Sequence, residues 1–311
     1  MNTFRKVRYF ALKVTSILFS EFEFSRVYKI PGTLNLDPNP IFKNPLAYPF
    51  FKCRYQTFKK NLRKQVFGQL SKTYYKFGDG DYHFLKGNQY GSAAPGNRAL
   101  GRILREEELQ IFQMRAQLAD EYMCELYPYL RLDFAKVIQT NKRIWPAEYA
   151  YAAVSSKWIF REFGNDIGLV GSAQKLELIN LMMKFPEYRD YLGIDNFSSY
   201  IKIPQKFSCD DLPRRIDELR EQLATSSSRI FLLGVGHLKS GILSELPKLK
   251  SAVYLDVGTG IDAIAGIIDP KRPYFGNWTN YYIPNHSLYN QLDYLNYNQE
   301  NRRPLVSYVK E

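Results

Sequence analysis

The stretch Ile230-Phe231-Leu232-Leu233-Gly234-Val235-Gly236-His237, followed farther on by Val253-Tyr254-Leu255-Asp256-Val257-Gly258-Thr259-Gly260, decides the fold class. Each half is a short apolar run that stops abruptly at glycines. Such a run, with no polar alternation, reads as a strand covered on both faces. Glycine directly after it permits a tight turn into a helix. Two similar runs lie upstream, Ile167-Gly168-Leu169-Val170 and Tyr200-Ile201-Lys202-Ile203. Helical segments separate the runs, at Leu176–Met183 and Leu212–Leu223, the latter with Asp210 and Asp211 as N-cap candidates. Strands alternating with helices specify an α/β fold, here a Rossmann-like, mostly parallel sheet flanked by helices. In such sheets ligands bind beyond the carboxyl ends of the strands.

Working outward, Tyr74-Tyr75-Lys76-Phe77 reads as a further strand that runs into Gly78-Asp79-Gly80-Asp81. Ala99 to Leu130 reads as one long amphipathic helix, and 146–163 as another, with Pro146 near its start. Prolines at 31, 38, 40, 45 and 49 mark a loop that ends an amino-terminal helix. The chain therefore divides into a basic helical arm (1–70), a main α/β domain (71–270) and a tail (271–311) rich in Tyr and Asn that is expected to pack on the domain.

The 311 residues, 45% of them hydrophobic, suffice for one large or two modest domains. The net charge is +12, but residues 1–72 hold 14 Lys and Arg against three acids, a surplus of 11. The rest is nearly neutral, which excludes a chain-wide basic field for nucleic acid. Residues 4–20 read as a basic amphipathic helix, either packed on the domain or in peripheral contact with a membrane. The apolar stretch Tyr9–Phe19 is too short for a span, and no small-residue cleavage site follows it. Three cysteines (53, 124 and 209) without close pairing argue against a disulfide framework or structural zinc and favour a cytoplasmic setting.

Three strand ends carry the candidate chemistry. In Gly78-Asp79-Gly80-Asp81, two flexible residues alternate with two carboxylates that could hold Mg²⁺ or Mn²⁺ with nucleotide phosphates completing the shell. In Gly234-Val235-Gly236-His237-Leu238-Lys239, amides at a helix start suit a phosphate, with His237 and Lys239 as a donor and a cation. In Asp256-Val257-Gly258-Thr259-Gly260-Ile261-Asp262, Asp256 could take a ribose hydroxyl, and Asp262 could serve as a base or cap the next helix. His83 is read as structural, and Arg105-Glu106-Glu107-Glu108 as a solvated helix face.

Taken together, these sites resemble the GT-D-type glycosyltransferases, whose first strand runs into R-F-G-D-G-E. Lys76-Phe77-Gly78-Asp79-Gly80-Asp81 is similar to that motif, and Leu233-Gly234-Val235-Gly236 and Asp256-Val257-Gly258-Thr259 follow in the family's order, over about residues 70–270. The resemblance implies a Rossmann-like fold and metal-dependent transfer of a sugar from a nucleoside-diphosphate sugar, UDP-linked or similar, to a hydroxyl of a glycan or lipid-linked acceptor. It implies Asp79 and Asp81 as ligands of Mn²⁺ or Mg²⁺. Gly78, Gly80, Gly234, Gly236, Lys239 and Gly258 would support the nucleotide, and Asp262, Asp256 or His237 would carry proton transfer. Two departures stand out: Asp81 replaces Glu, and Thr259 stands where the family often has His. The alternatives are a methyltransferase using S-adenosylmethionine, from the glycine run after Asp256, and a non-catalytic protein binding a membrane or polyanion. No run of strands follows Asp256, which weighs against the methyltransferase.

Overall fold

The computed structural model describes residues 49–125, 128–268, 275, 278–292 and 302–306. The expected basic amphipathic helix at 4–20, the proline-rich loop before residue 49 and about half of the tail lie outside the described residues.

Helix α1 (Pro49–Phe67) leads into β1 (Lys72–Phe77), α2 (Asp79–Leu85), α3 (Glu106–Ala116), β2 (Glu121–Cys124), α4 (Pro128–Val137) and β3 (Ile144–Pro146). Next come α5 (Glu148–Ser155), α6 (Trp158–Phe163), β4 (Ile167–Ser172), α7 (Ala173–Met182), α8 (Pro186–Leu192) and β5 (Ser199–Ile203). The last part holds α9 (Leu212–Ala224), β6 (Ile230–Gly234), α10 (Lys239–Ile242), α11 (Leu246–Leu249), β7 (Val253–Asp256) and α12 (Gly260–Ile264), then β8 (Asn280–Tyr282) and β9 (Arg302–Pro304).

Seven strands form one sheet in the order β3-β2-β1-β7-β6-β4-β5, every pair parallel. The expected α/β fold is therefore present, with the sheet entirely parallel. Side chains alternate between its faces. Tyr74, Leu169, Leu232 and Leu255 enter one core; Tyr75, Val170, Leu233 and Tyr254 enter the other. Burial on both sides explains why β4, β6 and β7 are almost continuously apolar in sequence. The tail's described part adds a two-stranded parallel ribbon of β8 and β9, and buries Trp278, Tyr281 and Leu305 in the first core. Helix α1 joins that core too, through Tyr55, Phe58, Leu62 and Val66 on one helical face. Phe58 lies edge-on to Tyr74 and Trp145, with ring centroids 5.8 and 5.6 Å away.

Two expectations are corrected. Ala99–Leu130 is not one helix but α3, β2 and the start of α4. Its apolar periodicity is misleading, because Ile103 and Leu118 are 59% and 57% exposed. The Asp120 carboxylate accepts from the Thr73 amide and hydroxyl, both at 3.0 Å, and so sets β2 beside β1. Residues 146–163 are two helices, broken at Lys157, whose φ is +58°. Pro146 ends β3 instead of opening a helix, which is tolerated because β3 is an edge strand. The Arg105–Glu108 run opens α3. Glu108 accepts from the Arg105 amide at 2.9 Å and pairs with Arg102 at 2.6 Å, which suits the positive end of the helix. Among the described residues no helix is long and apolar enough to cross a membrane.

Candidate functional site

From β1 the chain passes to β2 on one side; β7 is reached from β6 on the other. β1 and β7 are thus neighbours at the middle of the sheet, and parallel sheets bind ligands beyond the carboxyl ends of their strands. A cleft of about 320 Å³ lies there, lined by the loops after β1, β4, β5, β6 and β7. All three glycine-bearing strand ends meet in it, as their sequence implied. They converge because β1, β7 and β6 are successive neighbours.

A buried charge cluster forms the floor. Lys239 is 6% exposed; its ammonium donates to Asp81 Oδ2 at 2.8 Å and to the Lys76 carbonyl, and it forms an ion pair with Asp256 Oδ2 at 3.1 Å without hydrogen-bond geometry. Asp81, 3% exposed, also accepts from the Gly78 amide at 2.8 Å. Burial alone would raise its pKa, but the Lys239 ammonium and then His237 outweigh this and hold the carboxyl well below the usual range. Burial likewise pulls Lys239 down, and Asp256 and Asp81 more than reverse it. Asp256 is 1% exposed, and its other oxygen accepts from the Gly258 amide at 2.9 Å.

Lys76 lies beside this cluster, buried, with Nζ 5.1 Å from the Tyr151 ring centroid. Burial lowers its pKa, but Tyr151, Asp256 and Glu125 carry it above the ordinary value. Gly258 has φ +50°, and a Cβ there would stand 2.6 Å from Lys76 Cε. This glycine is what lets the β7 turn close over the lysine. A Cβ on Gly80 would meet His237 Cε1 at 2.9 Å. The second glycine of the first motif therefore makes room for the histidine of the second.

His237 Nε2 is 2.7 Å from Ser92 Oγ, and Nδ1 is 3.4 Å from Asp81 Oδ1. Its ring stacks on Phe84 at 4.8 Å between centroids, with planes 4° apart. Asp79, by contrast, is exposed at the start of α2 and accepts from the Gly80 amide at 2.8 Å. Asp262 pairs with Lys175 at 2.6 Å. Gly234 abuts Ile261 of α12, Gly236 sits open with φ +56°, and Gly78 precedes α2 as its N-cap. His83 turns aside to Asn88 and the Tyr90 ring.

The Asp79–Asp81 pair does not fit a shared divalent ion. The Asp81 oxygens are committed to Lys239, His237 and the Gly78 amide. A metal there would stand beside a buried ammonium in low dielectric. Among the described residues no group of three or more His, Cys, Asp or Glu is placed to hold a metal.

Sequence reasoning missed several cleft residues. Arg98, Ser92, Ser172, Lys175 and Gln205 all line it. Ser172 Oγ, Gln205 Oε1 and Thr259 Oγ1 are buried without a hydrogen-bond partner among the described residues. Native proteins rarely leave such atoms unsatisfied. None of the five left a sequence signal, whereas Lys76, which also lines the cleft, stands out as a charged side chain in a central strand.

No protein-family profile and no curated protein matches the chain. Solved structures do. One is described as "the highly conserved domain of unknown function 1792" with "a distinct glycosyltransferase fold"; it is 13% identical, covers 65% of this chain and 76% of its own, and has a TM-score of 0.41. Another, described as "a new glycosyltransferase" from Streptococcus sanguinis, is 9% identical, covers 80% and 97%, and has a TM-score of 0.44. No residue role transfers at this level of similarity.

Proposed function

We infer that the cleft binds a nucleoside-diphosphate sugar and transfers its sugar to a hydroxyl acceptor, a glycan or a lipid-linked glycan. The observation that carries this reading is the trio of orphaned neutral groups, Ser172, Gln205 and Thr259, facing a cleft that Lys76, Arg98 and Lys175 also line. Neutral hydroxyl and amide groups match sugar or ribose hydroxyls. The cations match a diphosphate. A donor of this class presents both. The three strand-end motifs, similar to those of the GT-D-type glycosyltransferases, meet at this cleft and support the same reading.

In this mechanism Lys76 and Arg98 receive the charge that grows on the departing diphosphate, a preorganised electrostatic contribution. Lys239 acts from beneath by holding Asp81 and Asp256 in place through their ion pairs. Asp256, 1% exposed, is too buried to meet an acceptor. Asp262 would first have to leave Lys175 to act as a base. The exposed Asp79 carboxylate is the acid of the first motif best placed to meet a ligand hydroxyl.

The test is a thermal-shift screen of the full chain with UDP- and GDP-sugars, in Mn²⁺ and in chelator. A matching donor at 100 times its Kd adds about 2.7 kcal/mol of apparent stability. The shift is expected in chelator as well as in Mn²⁺. No shift with any nucleotide sugar overturns the reading, and a shift seen only with Mn²⁺ overturns the metal-free site.

A further inference from the structure

The Asp81–His237–Ser92 chain runs from the edge of the second core, where His237 stacks on Phe84, to the cleft. We propose that it is a proton-withdrawing relay in which Ser92 Oγ meets the acceptor hydroxyl and His237 takes up the proton. The proposal rests on the transferase reading only for the hydroxyl that it serves.

Three features of the geometry support it. The three groups are in line: carboxylate, imidazole and hydroxyl, at 3.4 and 2.7 Å. Hydrogen bonds of this kind are often long before substrate binds and tighten in the complex. The ring is also held: it lies flat on Phe84, and Gly80 leaves the space that it fills. The polarity is directed as well. With Ser92 donating to Nε2, the ring proton sits on Nδ1 and faces Asp81, whose charge is secured by Lys239. A fixed anion behind the ring stabilises the imidazolium that forms. Ser92 is half-buried on the short turn Gly91–Ala93 and lines the cleft, and His237, which also lines it, is the more buried of the two at 7% exposed.

The step balances as follows. The acceptor oxygen bonds to the anomeric carbon, and the bond from that carbon to the diphosphate oxygen breaks, its electron pair leaving with the nucleoside diphosphate. The acceptor's proton passes to Ser92 Oγ while the Ser92 proton passes to His237 Nε2. The imidazolium then returns its proton to water. Ser92 touches the substrate; His237 acts through it.

The relay can be tested without knowing the donor. In S92C, a thiol replaces the hydroxyl beside His237 Nε2, and a neighbouring base or imidazolium raises its thiolate fraction. Iodoacetamide alkylation at position 92, followed by peptide mass spectrometry, is expected to run at least about tenfold faster in S92C than in S92C/H237Q. Peptide mapping keeps position 92 separate from the native cysteines. Burial pushes the Cys124 and Cys209 thiols up to about 12. Circular dichroism confirms that both variants are folded, and S92C/H237N serves if H237Q is not. Equal alkylation rates in folded variants overturn the relay. In the transfer assay, S92A and H237Q are expected to lower turnover at least about tenfold while keeping the nucleotide-sugar thermal shift. Undiminished turnover also overturns the relay. If no nucleotide sugar shifts the wild-type protein, the transferase reading fails and alkylation still decides the relay.

Discussion

At the scale of single residues, the two acids of the first motif separate into different roles. Asp81 is an internal anion tied to Lys239, whereas Asp79 faces water. Lys239→Met leaves Asp81 and Asp256 buried without their shared cation, so a loss of about 3–5 kcal/mol is expected in urea unfolding. Asp79→Asn removes no buried partner and should move stability by no more than about 0.5 kcal/mol. If Asp79→Asn proves the more damaging of the two, the assignment is wrong. Ser172→Ala removes a buried oxygen that bonds to nothing described. It should leave stability unchanged or slightly raised while shrinking the nucleotide-sugar thermal shift. Elsewhere, the Lys157 Nζ stands 3.4 Å from the centre of the Tyr191 ring. Burial, with Arg161 nearby, lowers its pKa to about 8. Acetic anhydride at pH 8 should therefore modify Lys157 ahead of solvated lysines, as read by peptide mass spectrometry. Selective loss of Lys157 from the labelled set would contradict its environment.

At the scale of elements, α1 shows how charge conceals a structural role. Its sequence, Pro49–Phe67, is strongly basic, and the arm reading followed from that. Yet every third or fourth side chain packs inward, and Phe58 is fully buried. Phe58→Ala should cost about 3–5 kcal/mol by denaturant titration; a surface-like effect would show that α1 is not integral. Strands β4, β6 and β7 were legible because burial on both faces leaves a nearly continuous apolar run, and the edge strand β5 by Tyr200, Ile201 and Ile203 despite its exposed Lys202. Strands β2 and β3 were not. They are short and near the sheet's edge, and Glu121 and Pro146 blur their ends. Lys157 has no sequence signature for a left-handed residue, so the break between α5 and α6 was equally hidden. The strand-end motifs announced where the cleft would be. They did not reveal that Ser92 would meet His237 across 145 residues, because only the folded chain creates that pairing.

At the scale of the whole molecule, acid should unfold the protein through groups that the fold keeps ionised. Hydrogen bonding to Arg102 lowers the Glu108 pKa from 4.5 to about 2, and Asp81 is depressed further by Lys239. Each such carboxylate stabilises the folded state fully above its unfolded pKa, and that contribution fades as pH falls toward its folded value. The urea midpoint should hold from pH 7 to about 5 and then drop as pH falls from about 4.5 to 2. A midpoint that is flat to pH 2.5 would contradict both assignments.

The strand order also has a consequence for assembly in time. β1 is made early, and β2 and β3 can join it at once, but its other edge is completed only by β7, where Lys72 pairs with Val253. Until that late segment emerges from the ribosome, β1 keeps an open edge able to pair with the wrong partner. Closing so distant a contact makes folding slow. Because the cleft straddles this seam, it is the last region to exist, and no nascent chain that stops short of Asp256 can carry it.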